Sequence, residues 1–279
     1  MCGVADPHRV PEAPPSSAPT LQQDLDLALR LADAADAISL PRFGAVDLQV
    51  SAKPDLTPVT DADMAVERAI REILAAERPG DAVVGEEYGT SGVSTGRCWV
   101  LDPIDGTKNF VRGVPIWASL IALLDDGRFT VGVASAPALA RRWWAATGHG
   151  AFTRFAGHPA QVCRVSAVGD LADASLSYSE LSDWQAAGRG AQFAELCSRC
   201  WRTRAYGDFY SYVLVAQGAI DVATEPDLNL WDLAALVPIV TEAGGLMTDA
   251  DGHPSGASST SALATNARLH PPVLSVLNS

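Results

Sequence analysis

From Leu21 onward, apolar residues fall at Leu21, Leu25, Ala28, Leu29, Ala32 and Ala35, the spacing of one face of an amphipathic helix. Thr20 with Gln23 forms a capping box at its start, and Pro41 is expected to end it. A second helix follows Thr60, where Val66, Ile70, Ile73 and Leu74 keep the period until Pro79 and Gly80 stop it. The pattern then shortens. Residues 82–85, 98–101, 116–124 and 129–134 read as strands, the last two joined as a hairpin through Asp125, Asp126 and Gly127, and residues 142–146 add another. Beyond residue 174 the two patterns alternate: strand 175–179, helix 191–200, strand 202–206, helix 208–218, strand 220–224, helix 230–244, strand 262–265. This order predicts an α/β fold with helices layered on large sheets. Residues 1–19, rich in Pro, Ser and Ala and without the segments of a signal peptide, read as a disordered tail ahead of one domain over 20–279.

At 279 residues, 48% hydrophobic and 19% charged, the chain is long enough to bury a core without disulfide or structural metal. Its net charge of −13 repels nucleic acid and anionic membranes, so neither is an expected partner, and no run of 18 apolar residues is present. A phosphorylated small molecule would need a local inversion of charge. Lys53 and Lys108 are the only lysines, which leaves metal cations as the obvious substitute for a lysine cradle. The five cysteines are an odd, scattered set, the pattern of reduced thiols in the cytoplasm. Cys197 and Cys200 form a CxxC with no second pair and no neighbouring His, so a zinc or redox role is not expected.

The strongest chemical signal is WVLDPIDGTKNF at 99–110. A strand delivers Asp102 at its end, Pro103 fixes the turn, and Asp105 follows beside Gly106, so two carboxylates point at one spot. Thr107 opens a helix whose unpaired amides suit an anion. Acids for a cation and amides for an anion together make the chemistry of a metal-bound phosphate. Glu86 and Glu87 follow the strand at 82–85, Asp61 and Asp63 sit in the first turn of a helix, and Asp232 starts another. Taken singly, Asp61, Asp63 and Asp232 read as helix caps or dipole partners, whereas a turn has no need of the second acid in DPIDGT. Hard oxygen donors select Mg2+, with Mn2+ as a substitute, and the five histidines show no ligand spacing.

Four segments in order, VTDAD at 59–63, GEE at 85–87, WVLDPIDGTKNF at 99–110 and WDLAALVPIVTEAGG at 231–245, resemble the inositol monophosphatase superfamily of Mg2+-dependent, lithium-sensitive phosphatases. KPDLTPVTDAD at 53–63, FVRGVPIWASLIALL at 110–124 and RAYGDF at 204–209 are most similar to its bacterial histidinol-phosphate phosphatase branch. The resemblance implies a layered alpha-beta-alpha-beta-alpha sandwich, a homodimer, and two or three Mg2+ ions per site. It implies metal binding by Glu86, Asp102, the Ile104 carbonyl, Asp105 and Asp232, with Asp63 serving a more weakly held ion. Gly106 and Thr107 would present amides to the phosphate; the Thr107 hydroxyl, paired with Asp63, and Glu86 would position the attacking water. Asp61 is left to capping.

The implied reaction is hydrolysis of L-histidinol phosphate, a step of histidine biosynthesis, by direct in-line attack of metal-activated water. No aspartyl or histidyl nucleophile has the setting a covalent route requires. Histidinol phosphate carries an amine and an imidazole, so its pocket should offer acids away from the phosphate, and Asp208 and Glu225 fit that need. Arg204 could reach the substrate, a partner subunit or only solvent, and Asp208 could instead be an N-cap. An inositol-1-phosphate or related sugar-phosphate phosphatase is the second reading, and a non-catalytic metal-binding dimer a third.

Overall fold

The computed structural model describes residues 19–54, 56–92 and 96–279; the tail expected over 1–19 lies outside the described residues as far as residue 18. Helices α1 (Leu21–Arg42) and α2 (Asp61–Glu77) flank a small hairpin of β1 (Val50–Ala52) and β2 (Pro58–Thr60). Then come β3 (Ala82–Gly85), β4 (Gly89–Ser91), β5 (Arg97–Asp105), the short helix α3 (Thr107–Arg112), β6 (Ala118–Asp125), β7 (Arg128–Ala136), β8 (Arg141–Ala146), β9 (Gly150–Phe155) and β10 (Gln161–Val162). The second half holds β11 (Ser175–Ser177), α4 (Leu181–Ala186), α5 (Gly190–Arg199), β12 (Arg202–Arg204), α6 (Asp208–Ala216) and β13 (Val222–Glu225). It ends with α7 (Leu230–Leu233), α8 (Leu236–Glu242), β14 (Gly245–Thr248), β15 (Ala262–Asn266) and α9 (His270–Leu277).

The alternation of side chains along the strands decides the layering. An eight-stranded sheet runs β10-β9-β8-β7-β6-β5-β3-β4, antiparallel except where β3 and β5 run parallel. On one face Trp99, Leu101, Ile121, Leu123, Val131 and Val133 pack with Leu27, Leu31, Val66 and Ile70 of α1 and α2. On the other, Val100, Leu120, Ala122, Ala134 and Trp143 meet Phe209, Val213, Leu236 and Ile239 of α6 and α8. Those helices also cover Ala223, Met247 and Ala264 of a five-stranded sheet, β12-β11-β13-β15-β14. Its far face, with Leu176, Val222 and Leu263, is closed by Trp184, Phe193, Leu196 and Val273 of α4, α5 and α9. The order is helix, sheet, helix, sheet, helix, the sandwich expected above. Gly132 allows α8 to lie against β7, because a Cβ there would collide with the Ala235 carbonyl.

Several local expectations change. Helix α1 runs one residue past Pro41, since a proline in the last turn forfeits a single bond and the Phe43 amide closes the helix on Ser39 and Leu40. The helix expected over 230–244 divides into α7 and α8, because Pro238 has no N–H to give the Ala234 carbonyl. Among the described residues no helix is long and apolar enough to cross a membrane. Cys98, Cys163, Cys197 and Cys200 are free thiols.

Candidate active site

The site is a cavity of about 830 Å3 at the end of β5, reached by residues of both sheets. Strand β5 is regular to Asp102 and then breaks register, so Asp102 pairs with Leu120 and Asp105 with Ala118 across a bulge. Ser119 Oγ holds the bulge by donating to the Pro103 carbonyl at 2.7 Å. Gly106, in the left-handed region at φ 82°, turns the chain into α3. A Cβ at this position would crowd the Ile116 carbonyl and the Asp208 carboxylate.

Carboxylate oxygens of Asp102, Asp105 and Asp232 all lie within 4.8 Å of one another. Carboxylates about 4 Å apart repel by about 4 kcal/mol at an effective dielectric near 20. Burial first, and mutual charge second, hold Asp102 and Asp105 well above the usual carboxylate range, and burial pushes Asp232 up to about 7. Asp105 Oδ2 accepts the Phe209 amide at 2.7 Å, and Asp232 Oδ2 accepts the Asn229 amide at 2.7 Å in its capping box. Asp102 Oδ1 is buried with no hydrogen-bond partner among the described residues. An orphaned buried acceptor inside a ring of repelling carboxylates fits a hard cation, and the all-oxygen donor set fits Mg2+ or Mn2+.

Glu86 and Ile104 line the same cavity, as do Gly106, Thr107, Asp208 and Glu225. Asp63 lies one layer behind, fully buried. Its Oδ2 closes the capping box on the Thr60 amide at 2.8 Å, and its Oδ1 stands 3.4 Å from Thr107 Oγ1, which is also 3.0 Å from the Ile104 carbonyl. Burial pushes Asp63 up to about 6. Asp61 does not cap: Thr60 is the N-cap, and the Asp61 carboxylate pairs with Arg42 at 2.7 Å.

Asp208 is not an N-cap either. Gly207 holds that position, and the Asp208 carboxylate faces Asn109, accepting from Nδ2 at 3.0 Å. The Asp208 backbone, at φ 49°, is held by its amide donating to Ser179 Oγ at 3.0 Å, and Ser179 donates to Glu225 Oε1 at 2.7 Å. Burial pushes Asp208 up to about 6 and Glu225 to about 8. Arg204 is not brought to the cavity; it is exposed at the end of β12 and bonds the Thr203 carbonyl.

Sequence reasoning missed four contributors: Ser179, Asn109, and the acids Glu180 and Asp183 at the cavity rim. Both lysines also line the cavity, although no lysine cradle was expected. Lys53 bridges Glu86 at 2.6 Å and Glu87 at 2.7 Å, and Lys108 pairs with Glu180 at 2.8 Å. Their scarcity elsewhere in so acidic a chain was the available signal.

Residues 20–278 match the model of the inositol monophosphatase family. The chain belongs to that family. It is 58% identical to the histidinol-phosphatase of Mycobacterium tuberculosis over 91% of this chain and 98% of that protein. It is 53% identical to the histidinol-phosphatase of Streptomyces coelicolor, over 93% and 98%. The solved inositol monophosphatase of Zymomonas mobilis, 35% identical, superposes with a TM-score of 0.82, covering 94% of this chain and all of that one.

Proposed function

We propose that this protein is a Mg2+-dependent phosphomonoesterase that hydrolyses L-histidinol phosphate to L-histidinol and phosphate. The observation that carries the reading is the triple of carboxylates, Asp102 and Asp105 buried and Asp232 half-buried, gathered in one cavity with the start of α3, Asp208 and Glu225. The names of the histidinol-phosphatases of Mycobacterium tuberculosis and Streptomyces coelicolor support the choice of substrate.

Glu86, Asp102, Asp105, Asp232 and the Ile104 carbonyl would hold the ions, two or three in number, with Asp63 contributing to a more weakly held one. Bound there, the metal supplies Lewis acidity and neutralises the charge on the attacking and leaving oxygens. The amides of Gly106 and Thr107 orient the phosphate. The Thr107 hydroxyl donates its hydrogen bond to Asp63 Oδ1 or to the Ile104 carbonyl, which leaves its lone pairs free to accept a hydrogen bond from the attacking water, and Glu86 accepts from the same water. Asp208 and Glu225 receive the amine and imidazole. We further propose a homodimer, inhibition by lithium, and, from the odd cysteine count, a cytoplasmic setting. Phosphate release from histidinol phosphate tests the reading: it should require Mg2+ or Mn2+ and cease in EDTA, and full turnover in the chelator would sink it.

A further inference from the structure

We propose that Glu67 is a positioning residue that fixes the Glu86–Glu87 turn relative to Thr107; the proposal rests on the reading of Glu86 as a metal ligand. Helix α2 presents two acids four residues apart, Asp63 and Glu67, and therefore on one face. Both are fully buried. Asp63 reaches Thr107 as described. One turn on, Glu67 Oε2 accepts the Glu87 amide at 2.8 Å, and Oε1 accepts the Tyr88 amide at 3.2 Å and Arg71 Nε at 2.7 Å. The Glu86 amide is bonded to the Leu101 carbonyl of β5 at 3.2 Å. All three successive amides of the turn are thus fixed, two of them by one carboxylate on the helix that also carries Asp63.

Two neighbours are adapted to this carboxylate. Gly85 makes room for it, since a Cβ there would overlap the Glu67 carboxyl group. Arg71 extends the brace, donating to Ser91 Oγ at 2.6 Å and to the Gly89 carbonyl, so both ends of the β3–β4 hairpin are tied to α2. A charged carboxylate binds amides more strongly than a neutral amide group does, and a glutamine here would also turn its own NH2 toward one of the N–H groups. A buried acid is destabilising unless it is fully paired, and Glu67 is paired at both oxygens.

The test is Mn2+ binding followed by electron paramagnetic resonance of the free ion, with wild type, Glu67→Gln, Glu86→Gln and, as a control on the same helix, Glu77→Gln. Glu77 pairs with Arg30 at the exposed far end of α2. Glu67→Gln should weaken Mn2+ binding about 10- to 100-fold, the usual effect of losing the partner that orients a metal ligand. Glu77→Gln should bind like wild type. Wild-type affinity in Glu67→Gln beside weakened Glu86→Gln overturns the role of Glu67 alone; wild-type affinity in Glu86→Gln overturns the reading beneath it. Should Glu67→Gln fail to fold, hydrogen exchange of the metal-free wild type decides. The Glu87 and Tyr88 amides should exchange as slowly as those of β5, and rapid exchange at both would refute the brace.

Discussion

Replacing Asp208 by Asn separates the two things the residue could do for a phosphate ester. Its carboxylate lines the cavity and accepts one hydrogen bond from Asn109, while the backbone sits at φ 49°. Asn adopts that left-handed conformation about as readily as Asp, and its carbonyl oxygen still accepts from Asn109. Only the charge is removed. A charge-assisted hydrogen bond contributes about 1.5 to 3 kcal/mol, which converts to about 10- to 100-fold in kcat/KM for a substrate whose cation meets Asp208. Glycerol phosphate, with no cation outside the phosphate, should change by less than about threefold. The assay is phosphate release from each ester at saturating Mg2+, and the ratio between substrates cancels any general damage to α6. Equal losses on both would refute the assignment of Asp208 to the cationic end of the substrate.

Asp105→Asn should lower kcat by several orders of magnitude, yet in EDTA at pH 8 it should melt no lower than wild type, because it removes charge from an over-acidic cluster; near-normal turnover by a folded variant would contradict the metal assignment. The metal-free protein should lose stability as pH rises. Asp63 and Asp208 are raised to about 6, Asp232 and Glu87 to about 7 and Glu225 to about 8, so between pH 5 and 8 the folded chain holds protons that the unfolded chain has released. The melting temperature in EDTA should therefore fall across that window, and Mg2+ should restore it at pH 8. His270, whose pKa is lowered by burial, opposes this trend below pH 6.5 but is one group against five. A flat or rising Tm would contradict the burial of ionisable acids.

Features set by short-range physics were legible in the sequence. The capping box at Thr20 and the helical face of α2 follow from spacing alone, and the strand that ends in DPIDGT announced the acids of β5. What stayed hidden depended on partners distant in sequence or on rules read too strictly. Strand β14 buries Gly245 and Met247 and exposes Leu246, so its inward and outward positions do not read as apolar and polar. Helix α9, absent from the expected elements, starts at His270 and carries Pro271 and Pro272 in its first turn, where no N–H is needed. Ser179 and Asn109 are unremarkable polar residues until folding sets them against Asp208, 29 and 99 positions away. The division of the expected helix at 230–244 turned on Pro238, whose effect local pattern had outweighed.

The central claim is that one acidic cavity hydrolyses a cationic phosphate ester with divalent metal. It is tested most directly by competition: equal concentrations of histidinol phosphate, inositol-1-phosphate and fructose bisphosphate in one reaction with Mg2+, with each product followed at early times. The ratio of initial rates is then the ratio of kcat/KM values. Histidinol should be the dominant product, and all three should vanish in EDTA. Inositol or fructose phosphate formed faster than histidinol, or histidinol formed undiminished in the chelator, would contradict it.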